Sequence, residues 1–142
     1  MYQITKKFDM DCAHLLSGYE GACKNLHGHT YKVLITISGE LLDDLGMLVD
    51  FSKIKELIHG RYDHTCLNDW PEFYNINPTA ELLAQVIWER VNKYCSTLSH
   101  RPFCSEVVVW ETPTSKAVYT PFYTGREELG NNTEHIGEGA TR

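Results

Sequence analysis

Apolar and polar residues alternate over two stretches near the start of the chain. From Tyr2 to His14 the even positions are mostly apolar and the odd positions mostly polar. From His27 to Ile37 the odd positions carry the apolar side chains. A period of two with one apolar face predicts a half-buried strand. We therefore expect two strands, each with histidine at one end of its apolar face.

Helical spacing of apolar residues follows in two later segments. The first is "FSKIKELIHGRY", in which Gly60 is a candidate stop signal. In the second, Asn77 and Pro78 predict an N-cap and the first helical position, and the apolar spacing continues to Tyr94. The segments "SEVVVWE" and "KAVYTPFY" predict two closing strands joined by a turn around Pro113.

The predicted order of elements is therefore strand, strand, helix, helix, strand, strand. Because no βαβ alternation occurs, we expect an α+β fold, with a four-stranded antiparallel sheet and two helices on one face. Such a sheet has two open edges, which edge-to-edge oligomerisation would pair. We expect residues 1–124 to form a single domain. Residues 125–142 are almost free of apolar side chains and predict a polar C-terminal tail.

The amino-acid composition limits the classes of partner and the cellular compartment that we expect. The 142 residues are 42% hydrophobic and 23% charged, which is typical of one globular domain. We find no apolar run of membrane-helix length and no secretion signal, so we expect a cytoplasmic protein without a membrane partner. Five scattered cysteines predict free thiols in a reducing compartment. A formal charge of −6 argues against binding to nucleic acid.

Three histidines come together if the first two strands pair. In a strand, His27 and His29 point to the same side with Cα atoms about 6.6 Å apart, so both imidazoles can reach one ion. Antiparallel pairing brings His14 beside the start of the second strand. Three neutral imidazoles with no obvious fourth protein ligand are typical of a catalytic zinc site with one open position. The competing interpretation is that these are ordinary histidines at strand ends.

Cys23 precedes His27 by four positions, and two roles are open for it. As a thiolate ligand it would complete a closed, structural His₃Cys zinc site. Alternatively it lies just outside the ion, where a nearby cation favours the thiolate, and acts as a base or a nucleophile. The residues alone do not choose between these two roles.

Other polar residues are candidates for proton transfer and binding. Asp63 directly precedes His64, and a carboxylate can orient and stabilise an imidazole in a proton relay, although a plain polar loop also explains the pair. Glu111 ends an apolar strand and can accept two parallel donors from a planar ring edge, unless it simply faces solvent. Thr79 and Glu81 fit the first turn of a helix, where capping explains them.

Together these features resemble the 6-pyruvoyl-tetrahydropterin synthase family, and within it the 6-carboxytetrahydropterin synthase branch. The resemblance runs from about Phe8 to Tyr123. Six motifs in the family's order carry it: "AH" at His14, "CKNLHGHTY", "GMLVDF", "YDHTCLN", "NPTAELLA" and "VVWET". The short interval from Cys23 to His27 resembles the carboxytetrahydropterin enzymes, since the pyruvoyl enzymes have a longer insert there.

The resemblance implies a fold and a role for each candidate residue. The fold is the tunnelling fold, in which subunit sheets join edge to edge and sites form between subunits. The implied roles are zinc ligands His14, His27 and His29, proton acceptor Cys23, relay residues Asp63 and His64, which can serve a neighbouring subunit's zinc, and pterin anchor Glu111. Thr79, in the "NPTAELLA" motif, is a further candidate substrate-binding residue. Cys66, inside the "YDHTCLN" motif, departs from the family's pattern, as does the tail.

The implied activity is a zinc-dependent lyase reaction with one Zn²⁺ per subunit. It converts 7,8-dihydroneopterin triphosphate to 6-carboxy-5,6,7,8-tetrahydropterin and releases acetaldehyde and triphosphate, a step of queuosine (7-deazaguanine) biosynthesis. The implied assembly is a homo-oligomer based on trimers, such as a hexamer. Two alternatives stay open: a 6-pyruvoyl-tetrahydropterin synthase, which eliminates triphosphate, and a zinc-stabilised binding module without catalysis.

Overall fold

A computed structural model describes residues 1–121 and contains a five-stranded sheet. The strands are β1 (Tyr2–His14), β2 (His27–Gly39), β3 (Thr65–Cys66), β4 (Phe103–Thr112) and β5 (Ser115–Tyr119), and their order in the sheet is β3-β1-β2-β4-β5. The helices are α1 (Phe51–Tyr62) and α2 (Ala80–Cys95), and short 3₁₀ turns lie at Ala22–Lys24, Leu67–Asp69 and Pro71–Phe73. The predicted α+β class is confirmed.

The pairing of β1 with β2 follows the alternation in the sequence. It is antiparallel and continuous, from Tyr2 opposite Gly39 to His14 opposite His27. β4 pairs antiparallel with β2, and β5 pairs antiparallel with β4. The hairpin register therefore places both histidine-bearing strand ends side by side.

The sheet has one strand more than the four that the pattern predicts. Thr65 and Cys66 pair in parallel with Cys12 and Ala13 of β1. Two residues are too few to produce an alternation of apolar and polar positions, and they lie in a polar connection. The extra strand attaches the chain just after α1 to the histidine-bearing end of β1.

The core lies between one face of the sheet and the two helices. Each strand of the β1–β2 pair contributes alternate side chains to it, and each helix contributes one apolar stripe. Members that are fully or almost fully buried include Met10, Tyr31, Val33, Ile35, Ile37, Ile54, Ile58, Leu83, Ile87 and Val91. Burying such side chains contributes roughly 1.5–3 kcal/mol each. This packing stabilises the strand pair whose ends carry the histidines.

Two helix boundaries differ from the predictions. Gly60 lies inside α1, which continues to Tyr62. The N-cap of α2 is Thr79, whose hydroxyl accepts a hydrogen bond from the Leu82 N–H at 3.2 Å, and not Asn77. Asn77 is wrong as an N-cap because its amide is bonded to another segment of the chain.

The outer edges of the sheet are largely unpaired within the described part of the chain. β3 covers only Cys12 and Ala13 of β1, and β5 forms the opposite edge. Within residues 1–121, no helix is long and apolar enough to cross a membrane. The predicted tail, residues 125–142, and the end of the "KAVYTPFY" segment lie outside the described residues.

Candidate active site

Three histidine rings meet at the shared end of β1 and β2. His14 stands opposite His27 in the pairing, and His29 stands opposite Cys12, two residues earlier on β1. The three ring centroids are 4.6 to 5.0 Å apart, and His14 is only 1% exposed. One ring nitrogen from each histidine lies within 4.8 Å of the other two. The structure thus brings together the three residues that the spacing singled out.

Backbone carbonyls fix which nitrogen of two rings carries the proton. His14 Nδ1 lies 2.7 Å from the Pro78 carbonyl, and His27 Nδ1 lies 2.7 Å from the Asn25 carbonyl. A carbonyl only accepts, so each Nδ1 must donate a proton. In the neutral rings, both Nε2 atoms then present lone pairs to the interior of the cluster.

The close approach of these lone pairs favours a cation at the centre of the cluster. The Nε2 atoms of His14 and His27 are 3.0 Å apart, a repulsive approach unless a proton or a metal ion lies between them. Two nitrogen ligands on one tetrahedral zinc ion are about 3.3 Å apart. His29 Nε2 is buried and has no hydrogen-bond partner among the described residues. The donor set therefore fits a divalent metal such as zinc.

The protonation of His29 also suits a ligand. Burial lowers the pKa of His29, and the neighbouring His14 and His27 lower it further. Glu111, whose Oε1 is 3.3 Å from His29 Nε2, raises that pKa, but the net change is downwards. The neutral imidazole, which binds metals, is thus the favoured form. The Glu111 contact does not have hydrogen-bond geometry, so it leaves the nitrogen unsatisfied.

Tyr31 supports the cluster from behind, and the sequence predictions did not include it. Its side chain is fully buried, and its hydroxyl lies 3.2 Å from His14 Nδ1. Burial and the nearby Glu111 raise the pKa of Tyr31, which keeps the hydroxyl neutral. The available signal was its position: Tyr31 follows His29 by two residues and so shares its face of β2.

Cys23 lies in the Ala22–Lys24 turn, half-buried. The group of mutually close ligand atoms consists of the three histidines and does not include its Sγ. Its backbone carbonyl accepts a hydrogen bond from the Leu16 N–H at 2.9 Å. Cys23 therefore lies in the connection between β1 and β2, whose two ends are His14 and His27 of the histidine cluster.

Asp63 and His64 form a pair at the end of α1. His64 has a left-handed backbone (φ 58°), which turns adjacent side chains together, and its Nε2 lies 3.4 Å from Asp63 Oδ2. Asp63 Oδ2 is also 3.3 Å from His59 Nε2, a neighbour that the sequence predictions did not include. The i,i+4 spacing of His59 and Asp63 on a helix was the signal for it.

Hydrogen bonds to β1 hold this pair in place. The Asp11 N–H donates to Asp63 Oδ1 at 2.9 Å, and the His64 N–H donates to the Asp11 carbonyl at 2.7 Å. The His64 side chain is 78% exposed and lines one shallow depression, of about 540 Å³, together with His29. An exposed imidazole backed by a carboxylate thus lies on the same depression as His29.

Glu111 lines a cavity beside the histidine cluster, whereas Thr79 caps a helix. Glu111, near the end of β4, lines a cavity of about 790 Å³ together with His29, Trp110, Lys7 and Lys32. The two lysines were not predicted, although each occupies a polar position on its strand. Thr79 caps α2, so its hydroxyl oxygen already accepts one hydrogen bond.

Comparison with known proteins gives a consistent family. Residues 3–121 match the family model described as 6-pyruvoyl tetrahydropterin synthase. The chain is 45% identical over 126 residues to the 6-carboxy-5,6,7,8-tetrahydropterin synthase of Bacillus subtilis (strain 168), with 84% of this chain and 86% of that protein covered. It is 35% identical to the protein of the same name from Haemophilus influenzae, with 84% and 99% covered.

The solved structures give a matching likeness. The Caenorhabditis elegans 6-pyruvoyl tetrahydropterin synthase superposes with a TM-score of 0.67 at 25% identity, covering 85% of this chain and 96% of that one. The predicted tunnelling fold is confirmed by this likeness.

Proposed function

Because the chain belongs to the 6-pyruvoyl tetrahydropterin synthase family of enzymes, we propose that it is a zinc-dependent carbon–carbon lyase acting on 7,8-dihydroneopterin triphosphate. With water as co-reactant, the proposed products are 6-carboxy-5,6,7,8-tetrahydropterin, acetaldehyde and triphosphate. The names of the relatives at 45% and 35% identity support this branch of the family. The short interval between Cys23 and His27 supports it too.

One observation carries the proposal: ring nitrogens of His14, His27 and His29 converge, and two of the rings are held in the tautomer that ligates through Nε2. We assign these three residues as the ligands of one zinc ion per chain. When bound, zinc would supply the positive charge that stabilises negative charge developing on the substrate as a neighbouring C–H proton leaves.

Cys23 is the proposed acceptor of that proton. Its Sγ lies outside the group of converging ligand atoms, which favours a base over a fourth ligand. Its turn lies in the connection between β1 and β2, and both ends of that connection adjoin the histidine cluster. A positioned acid or base contributes roughly 10²–10⁴-fold to the rate.

His64 is the proposed proton donor, and Asp63 its partner. The Asp63 carboxylate lies 3.4 Å from His64 Nε2, where it can orient the imidazole, and the Asp11 N–H fixes that carboxylate. The exposure of His64 lets it exchange protons with solvent or substrate. In an edge-to-edge oligomer the same exposure lets it serve a neighbouring subunit's site.

Glu111 is the proposed anchor of the pterin ring. It lines the larger cavity beside His29, where a carboxylate can accept two parallel hydrogen bonds from the edge of a planar ring. Holding the ring there orients the reacting carbons, which is a positioning effect. Thr79 as a substrate contact stays a prediction.

The oligomeric state, the cellular compartment and the pathway are further parts of the proposal. The unpaired edges of β1 and β5 support a homo-oligomer joined through the sheet, based on trimers and extending to a hexamer. We propose a cytoplasmic enzyme whose product serves queuosine biosynthesis, with residues 1–124 as its one domain.

Product analysis tests the activity. Zinc-loaded protein is incubated with 7,8-dihydroneopterin triphosphate, and products are identified by mass spectrometry, with chelated and zinc-restored samples as controls. Carboxytetrahydropterin with an equal amount of acetaldehyde supports the proposal. Pyruvoyl-tetrahydropterin without acetaldehyde supports the pyruvoyl synthase alternative, which the names of the family model and the nematode structure favour. No turnover by fully loaded protein supports the binding module.

A further inference from the structure

Two asparagine side chains hold the segment that connects β1 to Cys23. Asn68 Oδ1 accepts from the Leu15 N–H at 2.9 Å, and Asn68 Nδ2 donates to the Leu15 carbonyl at 3.1 Å. Asn77 does the same for Ser17, with distances of 2.8 and 2.9 Å. Each amide therefore pairs with both backbone groups of one residue, as a hydrogen-bonded residue of a neighbouring strand would.

β1 ends at His14, but the hydrogen bonds of the next residues still alternate between two edges. In extended backbone, residues two apart turn their N–H and C=O groups to the same edge, and the residue between them faces the other edge. Leu15 and Ser17 face the asparagines. Leu16, between them, faces the opposite way, and its N–H donates to the Cys23 carbonyl at 2.9 Å.

The asparagines come from the two connections that surround the site. Asn68 lies in the Leu67–Asp69 turn, four residues after His64. Asn77 immediately precedes Pro78, whose carbonyl accepts the proton of His14 Nδ1. The first stretch also contains the relay pair, and the second also holds one ring of the histidine cluster.

We propose that Asn68 and Asn77 are positioning residues that place Cys23 for proton transfer. They hold the backbone of Leu15 and Ser17 by its N–H and C=O groups, and the Leu16 N–H between them meets the Cys23 carbonyl. The inference rests on the proposed role of Cys23 as the base. Within residues 1–121, no hydrogen bond joins either asparagine side chain to the histidine rings, so their effect on chemistry passes through the backbone of the connecting segment.

An amide is the side chain that this arrangement requires. It offers one acceptor and one donor in a fixed plane, which matches the N–H and C=O of a single residue. An aspartate at either position keeps the acceptor for the N–H but sets a carboxylate oxygen against the carbonyl. Alanine removes both bonds. The series Asn, Asp, Ala therefore loosens the segment in steps.

The test combines amide hydrogen exchange with steady-state kinetics on the full-length, zinc-loaded protein. In Asn68→Ala and Asn77→Ala we expect amides of residues 15–25 to exchange at least about tenfold faster, because the segment opens locally. We expect kcat to fall at least about tenfold, with KM and the zinc content of the protein nearly unchanged, because small misplacement of a reacting group is costly. The Asn68→Asp and Asn77→Asp variants should fall between alanine and wild type.

Asn92→Ala is the matched control. Asn92 Oδ1 also accepts from a backbone N–H, that of Cys104 at 3.2 Å, but between α2 and β4. This variant should lose thermal stability without faster exchange in residues 15–25 and without a lower kcat. Equal effects on kcat from Asn92→Ala and the two test variants would reduce the asparagines to general structural residues and overturn the inference.

The exchange measurement needs no substrate, so the two proposals fail separately. If wild-type protein makes carboxytetrahydropterin but the asparagine variants keep wild-type exchange and kcat, the inference is wrong and the proposed function stands. If wild-type protein shows no turnover while the variants still loosen residues 15–25, the inferred hold on the segment is supported and the proposed function fails.

Discussion

The three histidines stand on two paired strands, whereas Cys23, Asp63 and His64 stand on the connections beside them. The register of β1 and β2 alone brings His14 opposite His27, and the buried face of the hairpin supports it. The other groups are placed by individual hydrogen bonds. Asp63 and His64 are bonded to the distant Asp11, and Cys23 is bonded to Leu16 within its own connection.

This difference separates two tasks in one site. A metal site needs donor atoms fixed relative to one another, and a strand pair with a packed core supplies that rigidity. Proton transfer needs groups that can reach substrate and solvent, and connections on the surface supply that access. Losses on the strands should therefore remove the metal, and losses on the connections should leave the metal and remove the chemistry.

The largest effect is expected from His27→Ala. Removing one of three ligands leaves two imidazoles that bind zinc weakly, so the zinc content and activity should disappear together. Metal analysis and turnover on the same preparation measure both. His100→Ala is the control, since His100 contacts the Leu48 carbonyl away from the cluster and should keep full zinc. A fully zinc-loaded His27→Ala protein would refute the ligand assignment.

Cys23→Ala should separate chemistry from metal binding. We expect turnover to fall by about 10²–10⁴-fold, as for loss of a general base, with one zinc ion per chain retained. Cys95→Ala provides the control, because Cys95 is a free thiol buried at the end of α2 and has no proposed role in proton transfer. Loss of zinc from the Cys23 variant would instead support a closed site with the thiolate as fourth ligand.

The relay pair offers a finer comparison between two neighbours of one carboxylate. His64→Ala should lower kcat by about 10²-fold, whereas His59→Ala should change it only a few-fold, although both imidazoles lie within 3.4 Å of Asp63. His59 packs edge-on against Phe8, which indicates a supporting role. Steady-state kinetics on both variants measure the difference, and equal losses of kcat would contradict the assignment of His64 as the donor.

The smallest expected effect on activity comes from Glu72, whose carboxylate attaches the connection after α1 to that helix. Arg61 forms two hydrogen bonds to the Glu72 carboxylate, and the Tyr62 hydroxyl donates a third. Burial raises the pKa of Glu72, but these bonds outweigh burial and lower it from 4.5 to about 2. The resulting stabilisation is present above about pH 4.5 and is lost as the pH falls towards 2.

Glu72→Gln should therefore lower the free energy of unfolding by about 2 kcal/mol at pH 7, and by less at pH 3. Denaturant titration of zinc-free protein at both pH values measures this without a contribution from the metal. Glu56→Gln is the control, because Glu56 is 71% exposed in its ion pair with Lys53 and should matter little. An equal loss at pH 7 and pH 3 would contradict the assigned pKa.

The features that the sequence predicts well are those that follow from the period of two in its apolar residues. The bounds of β1 match the alternation at both ends, and the histidine cluster follows from that register. A period of two also places Tyr31 on the face of His29, so a closer use of the same pattern would have found it.

What the sequence does not predict depends on contacts between distant segments. α1 continues through Gly60 because tertiary packing of Ile58 and Tyr62 outweighs the helix propensity of one glycine. Asn77 leaves the capping role to Thr79 because its amide is used by Ser17, sixty residues earlier in the chain. The left-handed turn at His64, which joins it to Asp63, likewise has only a weak local signal, since histidine adopts this conformation in a small fraction of cases.

X-ray absorption at the zinc edge of the wild-type, zinc-loaded protein tests the central claim most directly. Three imidazoles with Cys23 off the metal predict a shell of nitrogen and oxygen ligands at about 2.0–2.1 Å and no sulfur. A sulfur ligand at about 2.3 Å that disappears in Cys23→Ser would contradict the account, because the thiol would then be a ligand and not the base.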